Sequence, residues 1–212
     1  MRFPTTHLLV VFDGFHSSAP RKKLYPDYKA QRLPPSQSLS SQIQLIKELC
    51  ILANYPFLCI AQHEADDVIA SVVHTFCNQE KKKFTSFSST EISSQLPLKS
   101  STEKAGYIDS FTINHPEILY IDVVTSDKDL VPLLQYTRGS SGESYPKVSI
   151  LQPHKHFRTL TVDIVQKEWG LQPNQVPDFL AMVGDSTDNI PGIPSIGPKT
   201  ALKLLEKYKS LQ

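Results

Sequence analysis

Asp178 to Leu205 reads DFLAMVGDSTDNIPGIPSIGPKTALKLL. An apolar run from Pro177 to Val183 has the spacing of a helix and feeds two acids, Asp185 and Asp188, in a turn-like segment. A Gly/Pro turn, IPGIPSIGP, follows, and Lys199 to Tyr208 then returns to helical spacing. Pro198 suits the first turn of that last helix. Glycines in such a turn let the backbone approach a phosphate, and a helix start offers unpaired N–H groups to an anion. Leu202, Leu204 and Leu205 read as the packing face between the two helices.

Three further acidic motifs lie upstream: Asp13 closing VVFDG, Glu64, Asp66 and Asp67 in EADD, and Asp127 and Asp129 in SDKDL. Each borders an apolar segment. Eight carboxylates in short motifs repel one another unless a positive charge sits among them. Hard divalent cations take oxygen ligands, and no Cys or His stands at ligand spacing beside these acids. The implied ions are therefore two Mg²⁺ or Mn²⁺ rather than Zn²⁺, a combination suited to phosphodiester hydrolysis. Glu64 and Asp67 are i,i+3 on one helix face, with Asp66 about 100° round from Asp67. Glu64 and Asp66 are expected to ligate more directly, with Asp67 behind them. Asp127 and Asp129, two apart in extended chain, are expected on one face.

Leu8 to Phe12 is a solid apolar run, the pattern of a buried parallel strand, with Asp13 at its C-terminal end. Leu39 to Leu52 carries a helical period at Leu39, Ile43, Ile46, Leu49 and Cys50, with serines before it as caps. Phe57 to Ile60 is a short strand, and Ala65 to Phe76 a helix whose first turn holds EADD at the positive end of its dipole. Asn78 to His115 is Ser-, Thr- and Lys-rich and reads as a flexible insertion. Tyr120 to Thr125 and Val148 to Leu151 read as strands, and Val162 to Trp169 as a helix. Strands alternating with helices imply an α/β fold with a parallel sheet, whose sites gather at strand C-termini.

The chain has 212 residues, 22 Lys and Arg against 21 Asp and Glu. Setting the eight motif acids aside leaves 13 acids against 22 bases, an excess of nine positive charges. A basic body around pooled acids fits a polyanion partner. No stretch approaches a membrane span, and MRFPTTHLLVVFD resembles neither a signal peptide nor an Arg/Ser-rich presequence. Cys50, Cys59 and Cys77 form no CxxC and read as reduced, mostly buried thiols of an intracellular protein. The His154-Lys155-His156 triplet reads as an exposed basic loop, Trp169 as packing.

VVFDG, QHEADDVIAS, TSDKDLVPLL and the Asp178 to Leu205 stretch together resemble the 5′–3′ exonuclease and flap endonuclease family, over roughly Leu8 to Tyr208 apart from the insertion. The family includes the N-terminal nuclease domain of bacterial DNA polymerase I. The resemblance implies a PIN-like, resolvase-like parallel sheet flanked by helices over 1–160, then a helix–hairpin–helix element in its helix–three-turn–helix form over 161–212. It assigns Asp13, Glu64 and Asp66 to a first metal, and Asp127, Asp129, Asp185 and Asp188 to a second. It places Arg21, Lys22, Tyr28, Lys29 and Arg32 on an arch over the 5′ strand, with Arg21 and Lys29 close enough to assist catalysis and Tyr28 able to stack on a base. Gly192, Ser195, Gly197, Lys199, Thr200 and Lys203 are expected to bind duplex backbone, with K⁺ at that loop.

The implied activity is 5′–3′ exonuclease and 5′-flap endonuclease cleavage of DNA, in primer and flap removal during replication and repair. The expected substrates are 5′ flaps and nicked or gapped duplexes, with an RNA primer as a further one. A polymerase would act in trans, and the chain is expected to be a monomer. In a eukaryote the family points to plastid or mitochondrion. The family also places an Asp on an earlier strand and continues past the hairpin, so the chain is expected to be a middle piece. Two other readings stay open: a DNA-binding remnant without turnover, and a PIN-like ribonuclease, against which the hairpin element argues.

Overall fold

The computed structural model describes residues 7–78, 87–88, 110–111, 120–137 and 147–211. Two compact units interleave along the chain. Met1–Pro20, Arg32–Ile69 and Lys81–Pro116 make the first; Arg21–Gln31, Ala70–Glu80 and Glu117–Gln212 make the second.

In the first unit β1 (Val10–Phe12) pairs parallel with β2 (Phe57–Cys59), Val10 opposite Phe57 and Phe12 opposite Cys59. The rings of Phe12 and Phe57 meet edge to face, 5.6 Å between centroids. Two helices, α1 (Ala19–Leu24) and α2 (Gln37–Leu52), lie between these strands in sequence, and a parallel pair needs a crossover of that length. The expected serine cap is present: Ser36 Oγ accepts from the Leu39 amide at 3.2 Å. The period of α2 forecast its helix but not its burial. Leu39, Ile43, Ile46 and Leu49 are exposed, and Cys50 is the buried residue of this helix. Gly14, after Asp13, allows the chain to pass against the end of β2. A Cβ there would lie 1.6 Å from the Ile60 carbonyl oxygen. Next comes α3 (Ala65–Asn78). Within the stretch read as an insertion, Asn78 ends α3, and β3 (Phe87–Ser88) and β4 (Ser110–Phe111) pair antiparallel; its remaining residues lie outside those described.

The second unit holds a three-stranded sheet in the order β5 (Tyr120–Val124), β6 (Lys147–Gln152), β7 (Arg158–Leu160). β5 and β6 are parallel, as expected. β7 departs from the all-parallel expectation and runs antiparallel to β6, because the short turn through Pro153–Lys155 can only fold the chain straight back. A 3-10 helix at Lys128–Thr137 follows β5 and buries Leu130, Val131, Leu133 and Leu134 against the unit's core. The chain continues through α4 (Val162–Trp169) and α5 (Val176–Val183). A small hairpin comes next, β8 (Gly184–Asp185) with β9 (Ile190–Pro191), and then α6 (Pro198–Tyr208). Met182 of α5 and Ala201 and Leu205 of α6 are almost fully buried, and Leu202 and Leu204 half-buried, so α6 presents the expected packing face. Gln175 Nε2 donates to the carbonyls of Leu205 and Lys209 and closes the last turn of α6.

No helix among the described residues is long and apolar enough to cross a membrane. The three thiols are free; Cys50 and Cys77 are buried and Cys59 half-buried. Burial pushes the Cys77 thiol up to about 11.

Candidate metal centre and nucleic-acid interface

In the first unit the acids gather at the start of α3. Asp13, just past β1, accepts the Ala65 amide on Oδ1 at 2.8 Å. It thereby caps the helix from a distant strand and satisfies one of the N–H groups that a helix start leaves over. Asp67 Oδ2 accepts the Glu64 amide at 3.3 Å, a local cap. Glu64 is buried, and Asp66 is half-buried in the first turn, where the dipole favours negative charge.

In the second unit Asp129, Asp185 and Asp188 bring carboxylate oxygens within 4.8 Å of one another, the one such group among the described residues. Asp185 and Asp188 are buried, and Asp129 is exposed. The β8–β9 hairpin sets the pair: Asp185 Oδ1 accepts the Thr187 amide at 2.9 Å, and the Asp188 amide donates to the Asp185 carbonyl at 3.3 Å. The turn expected here is thus a hairpin loop, and a helix follows only at Pro198.

Asp127 corrects its expectation. The segment is not extended; Asp127 Oδ1 accepts the Asp129 amide at 2.9 Å and starts the 3-10 helix. Asp127 thus gives one oxygen to the backbone, while Asp129 joins the acid group. The electrostatics agree. Desolvation, then repulsion from Asp127, Asp185 and Asp188, raises the Asp129 carboxyl above its ordinary range. For Asp185 burial alone would do the same. The Thr187 amide and the Lys128 ammonium, 3.1 Å from Oδ2, outweigh it and hold the group below that range. Three crowded carboxylate oxygens, one of them disfavoured as an anion, are the donor set a hard divalent cation takes.

The basic connection supplies a second correction. Tyr28 is 4% exposed, so it offers no face to a base. Its hydroxyl donates to Asp188 Oδ2 at 3.1 Å. The Lys29 amide donates to the Asp188 carbonyl at 2.9 Å, and its ammonium lies 3.8 Å from Asp188 Oδ2 and 4.8 Å from the Tyr28 ring centroid. Arg21 lies over the same ring at 5.9 Å. Gln31 Nε2 donates to the carbonyls of Ser186 and Thr187, and Asn189 Nδ2 to that of Asp27. This segment is stitched to the acid hairpin. Lys22 and Arg32 are exposed.

The loop between β9 and α6 separates two glycine roles. A Cβ on Gly192 would lie 2.3 Å from the Val183 carbonyl oxygen, so Gly192 is needed for close packing on the end of α5. A Cβ on Gly197 would meet nothing within 4 Å, so this backbone is open to a ligand. Ser195 holds a left-handed φ of 69°, and the Ile193 amide donates to the Met182 carbonyl at 2.8 Å. Lys199, Thr200 and Lys203 are exposed on the first turns of α6. Reading the sequence missed Lys128, Gln31 and Asn189. Lys128 had a signal, as the single cation inside SDKDL; the other two had none.

Comparison with known proteins identifies the family. The model of the 5′–3′ exonuclease N-terminal resolvase-like domain matches residues 2–95, and that of the 5′–3′ exonuclease C-terminal SAM fold matches 171–212. The chain belongs to the 5′–3′ exonuclease family. It is 32% identical over 206 residues to a 5′–3′ exonuclease of Aquifex aeolicus, covering 97% of this chain and 54% of that protein. It is 34% identical over 206 residues to DNA polymerase I of Rhizobium leguminosarum, covering 97% of this chain and 15% of that one. This chain thus spans about half the length of the first relative and a small part of the second. Its fold is similar to that of the bacteriophage T5 flap endonuclease solved with DNA and metal ions: TM-score 0.61, 20% identity, 98% of this chain and 62% of that one. The fold class is therefore a resolvase-like N-terminal part with a helix–hairpin–helix, SAM-type C-terminal part.

Proposed function

We propose that this chain is a divalent-metal-dependent 5′–3′ exonuclease and 5′-flap endonuclease that hydrolyses DNA phosphodiesters in primer and flap removal during replication and repair. The carrying observation is the group that Asp129 of the 3-10 helix forms with Asp185 and Asp188 of the hairpin leading into α6. These three would hold one Mg²⁺ or Mn²⁺, with Asp127 bracing Asp129. Asp13, Glu64 and Asp66 would hold another, with Asp67 fixing the Glu64 backbone. When bound, such ions activate water and neutralise the charge that develops on the phosphodiester.

The remaining residues bind and orient. Tyr28 and Lys29 set the Asp188 carboxylate, and Lys29 and Arg21 offer charge to the scissile phosphate. Lys22 and Arg32 reach the 5′ strand. Gly197, Ser195, Lys199, Thr200 and Lys203 hold the duplex backbone, with K⁺ at the loop carbonyls. The substrates are 5′ flaps and nicked or gapped duplexes, including those ending in an RNA primer. The working form is an intracellular monomer, with any polymerase acting in trans, and a nuclease core over 1–160 feeds the duplex-binding segment over 161–212.

The test is incubation of the folded protein with a 3′-labelled 5′-flap duplex and Mg²⁺. The proposal expects cleavage near the flap junction, leaving a 5′-phosphate and a 3′-hydroxyl, and none in EDTA. Salt-dependent binding without any turnover would reject the enzyme and leave a DNA-binding remnant. Faster cleavage of structured RNA than of the DNA flap would favour a ribonuclease.

A further inference from the structure

Asp185 presents its two oxygens to different partners. Oδ1 accepts the Thr187 amide at 2.9 Å, which fixes the plane of the carboxylate. Oδ2 carries the Lys128 ammonium at 3.1 Å. With Oδ1 taken by backbone, Oδ2 is the oxygen left to a cation shared with Asp129 and Asp188. An ammonium has three donors and no acceptor, so it cannot join a coordination shell. It can only occupy the cation's side of the carboxylate or leave it. The Lys128 side chain is 40% exposed against 10% for Asp185, so the stem can swing its head into water while the acid stays in place. The backbone around it is fixed, because the residue opens a 3-10 helix whose start is held by Asp127 Oδ1.

We propose that Lys128 is a tethered counter-ion of the acid group. It is a positioning residue that holds Asp185 in ligand geometry while no metal is bound, and the incoming divalent cation displaces it. The inference rests on the reading that Asp129, Asp185 and Asp188 hold a metal. It adds that this chain carries its own competitor for the ion. Two consequences follow. The metal-free protein is more stable than three crowded carboxylates would allow. Its affinity for the cation is lower than the carboxylates alone would give, because each binding event must break the Lys128–Asp185 pair.

The experiment is Mn²⁺ titration of the whole chain, read as free Mn²⁺ by electron paramagnetic resonance, with melting curves in EDTA. Lys128→Met keeps the stem and removes the charge. It is expected to bind the ion lost in Asp129→Asn about twofold to fivefold more tightly than the parent, the range of a half-exposed ion pair. It is also expected to melt lower than the parent in EDTA. Lys128→Arg reads the same competition in the opposite direction and serves if Lys128→Met does not fold. A guanidinium is more weakly hydrated than an ammonium and presents a fork of N–H donors to Oδ2, so it is harder to displace and Mn²⁺ affinity is expected to fall. Unchanged or weaker Mn²⁺ binding in folded Lys128→Met, or unchanged binding in Lys128→Arg, overturns the counter-ion. If Asp129→Asn and Asp185→Asn leave Mn²⁺ binding intact, the metal reading of this group fails, and the counter-ion falls with it.

Discussion

Tyr28 and Asp188 stand 160 residues apart in the chain, yet the Tyr28 hydroxyl donates to Asp188 Oδ2 at 3.1 Å with the ring buried around it. This bond ties the basic connection to the acid hairpin, alongside the Gln31, Lys29 and Asn189 contacts with the same loop. A hydrogen bond to a buried charged acceptor contributes about 1–2 kcal/mol. Tyr28→Phe keeps the ring beneath Arg21 and Lys29 and removes only that bond. Its melting temperature is expected to fall by about 3–6 °C. Tyr28→Ala, which also opens a cavity, should fall further. Differential scanning calorimetry of the two variants measures both; an unchanged Tyr28→Phe would show that the hydroxyl contributes nothing.

Asp129 and Asp185 are shifted in opposite directions, which gives a pH signature for the metal-free protein. Desolvation and neighbouring acids raise Asp129, so the folded state holds its proton more tightly than the unfolded chain does. That contribution to stability is present below the ordinary carboxylate range and is lost as pH rises through the raised value. At neutral pH in EDTA, Asp129→Asn should therefore melt higher than the parent, by roughly 1–3 °C. Asp185 has a lowered pKa despite its burial. Its contribution is present above the ordinary range and is lost as pH falls through the lowered value. Asp185→Asn should melt lower at neutral pH, and the difference should vanish in strong acid. Melting curves against pH check both signs.

Asp13 does two jobs. It caps α3 through the Ala65 amide and stands among the proposed ligands of one ion. Asp13→Asn keeps an acceptor for the amide and should leave the melting temperature in EDTA nearly unchanged. Asp13→Ala should lose about 1 kcal/mol from the missing cap. Both should cut flap cleavage by more than about a hundredfold, because a neutral side chain no longer holds the cation. Equal activity of Asp13→Asn and the parent would remove Asp13 from the metal site.

Gly192 and Gly197 should respond differently to the same methyl group. Gly192→Ala drives a Cβ to 2.3 Å from the Val183 carbonyl oxygen and should unseat the loop, at a cost of about 1–3 kcal/mol. Gly197→Ala meets nothing within 4 Å at an extended φ of −90° and should leave stability within about 0.5 kcal/mol. It should still weaken duplex binding severalfold, since the methyl group would stand where backbone approaches phosphate. Melting curves and duplex-binding isotherms separate the two effects.

Much of this was legible in the sequence where the information is local. The apolar run ending at Asp13 became β1, the spacing of Val162 to Trp169 became α4, and Pro198 marked the first turn of α6. What escaped depends on contacts between distant residues or on where a backbone amide points. Spacing put Asp127 and Asp129 on one face, but Asp127 folds back onto the Asp129 amide, a local bond that short acidic side chains make readily. Tyr28 read as a stacking aromatic because the family resemblance puts it on an arch over the 5′ strand, and only the fold reveals its hydroxyl on Asp188. The helical period of α2 reported a helix correctly; whether a partner covers that face is not encoded in the period itself.

Counting bound Mn²⁺ tests the central claim most directly. The account predicts two ions per chain in the parent, and one in Asp129→Asn, Asp185→Asn or a paired Asp13→Asn, Glu64→Gln variant, with every variant still folded by circular dichroism. An unchanged count in these variants, or no bound Mn²⁺ in the folded parent at millimolar concentration, would contradict it.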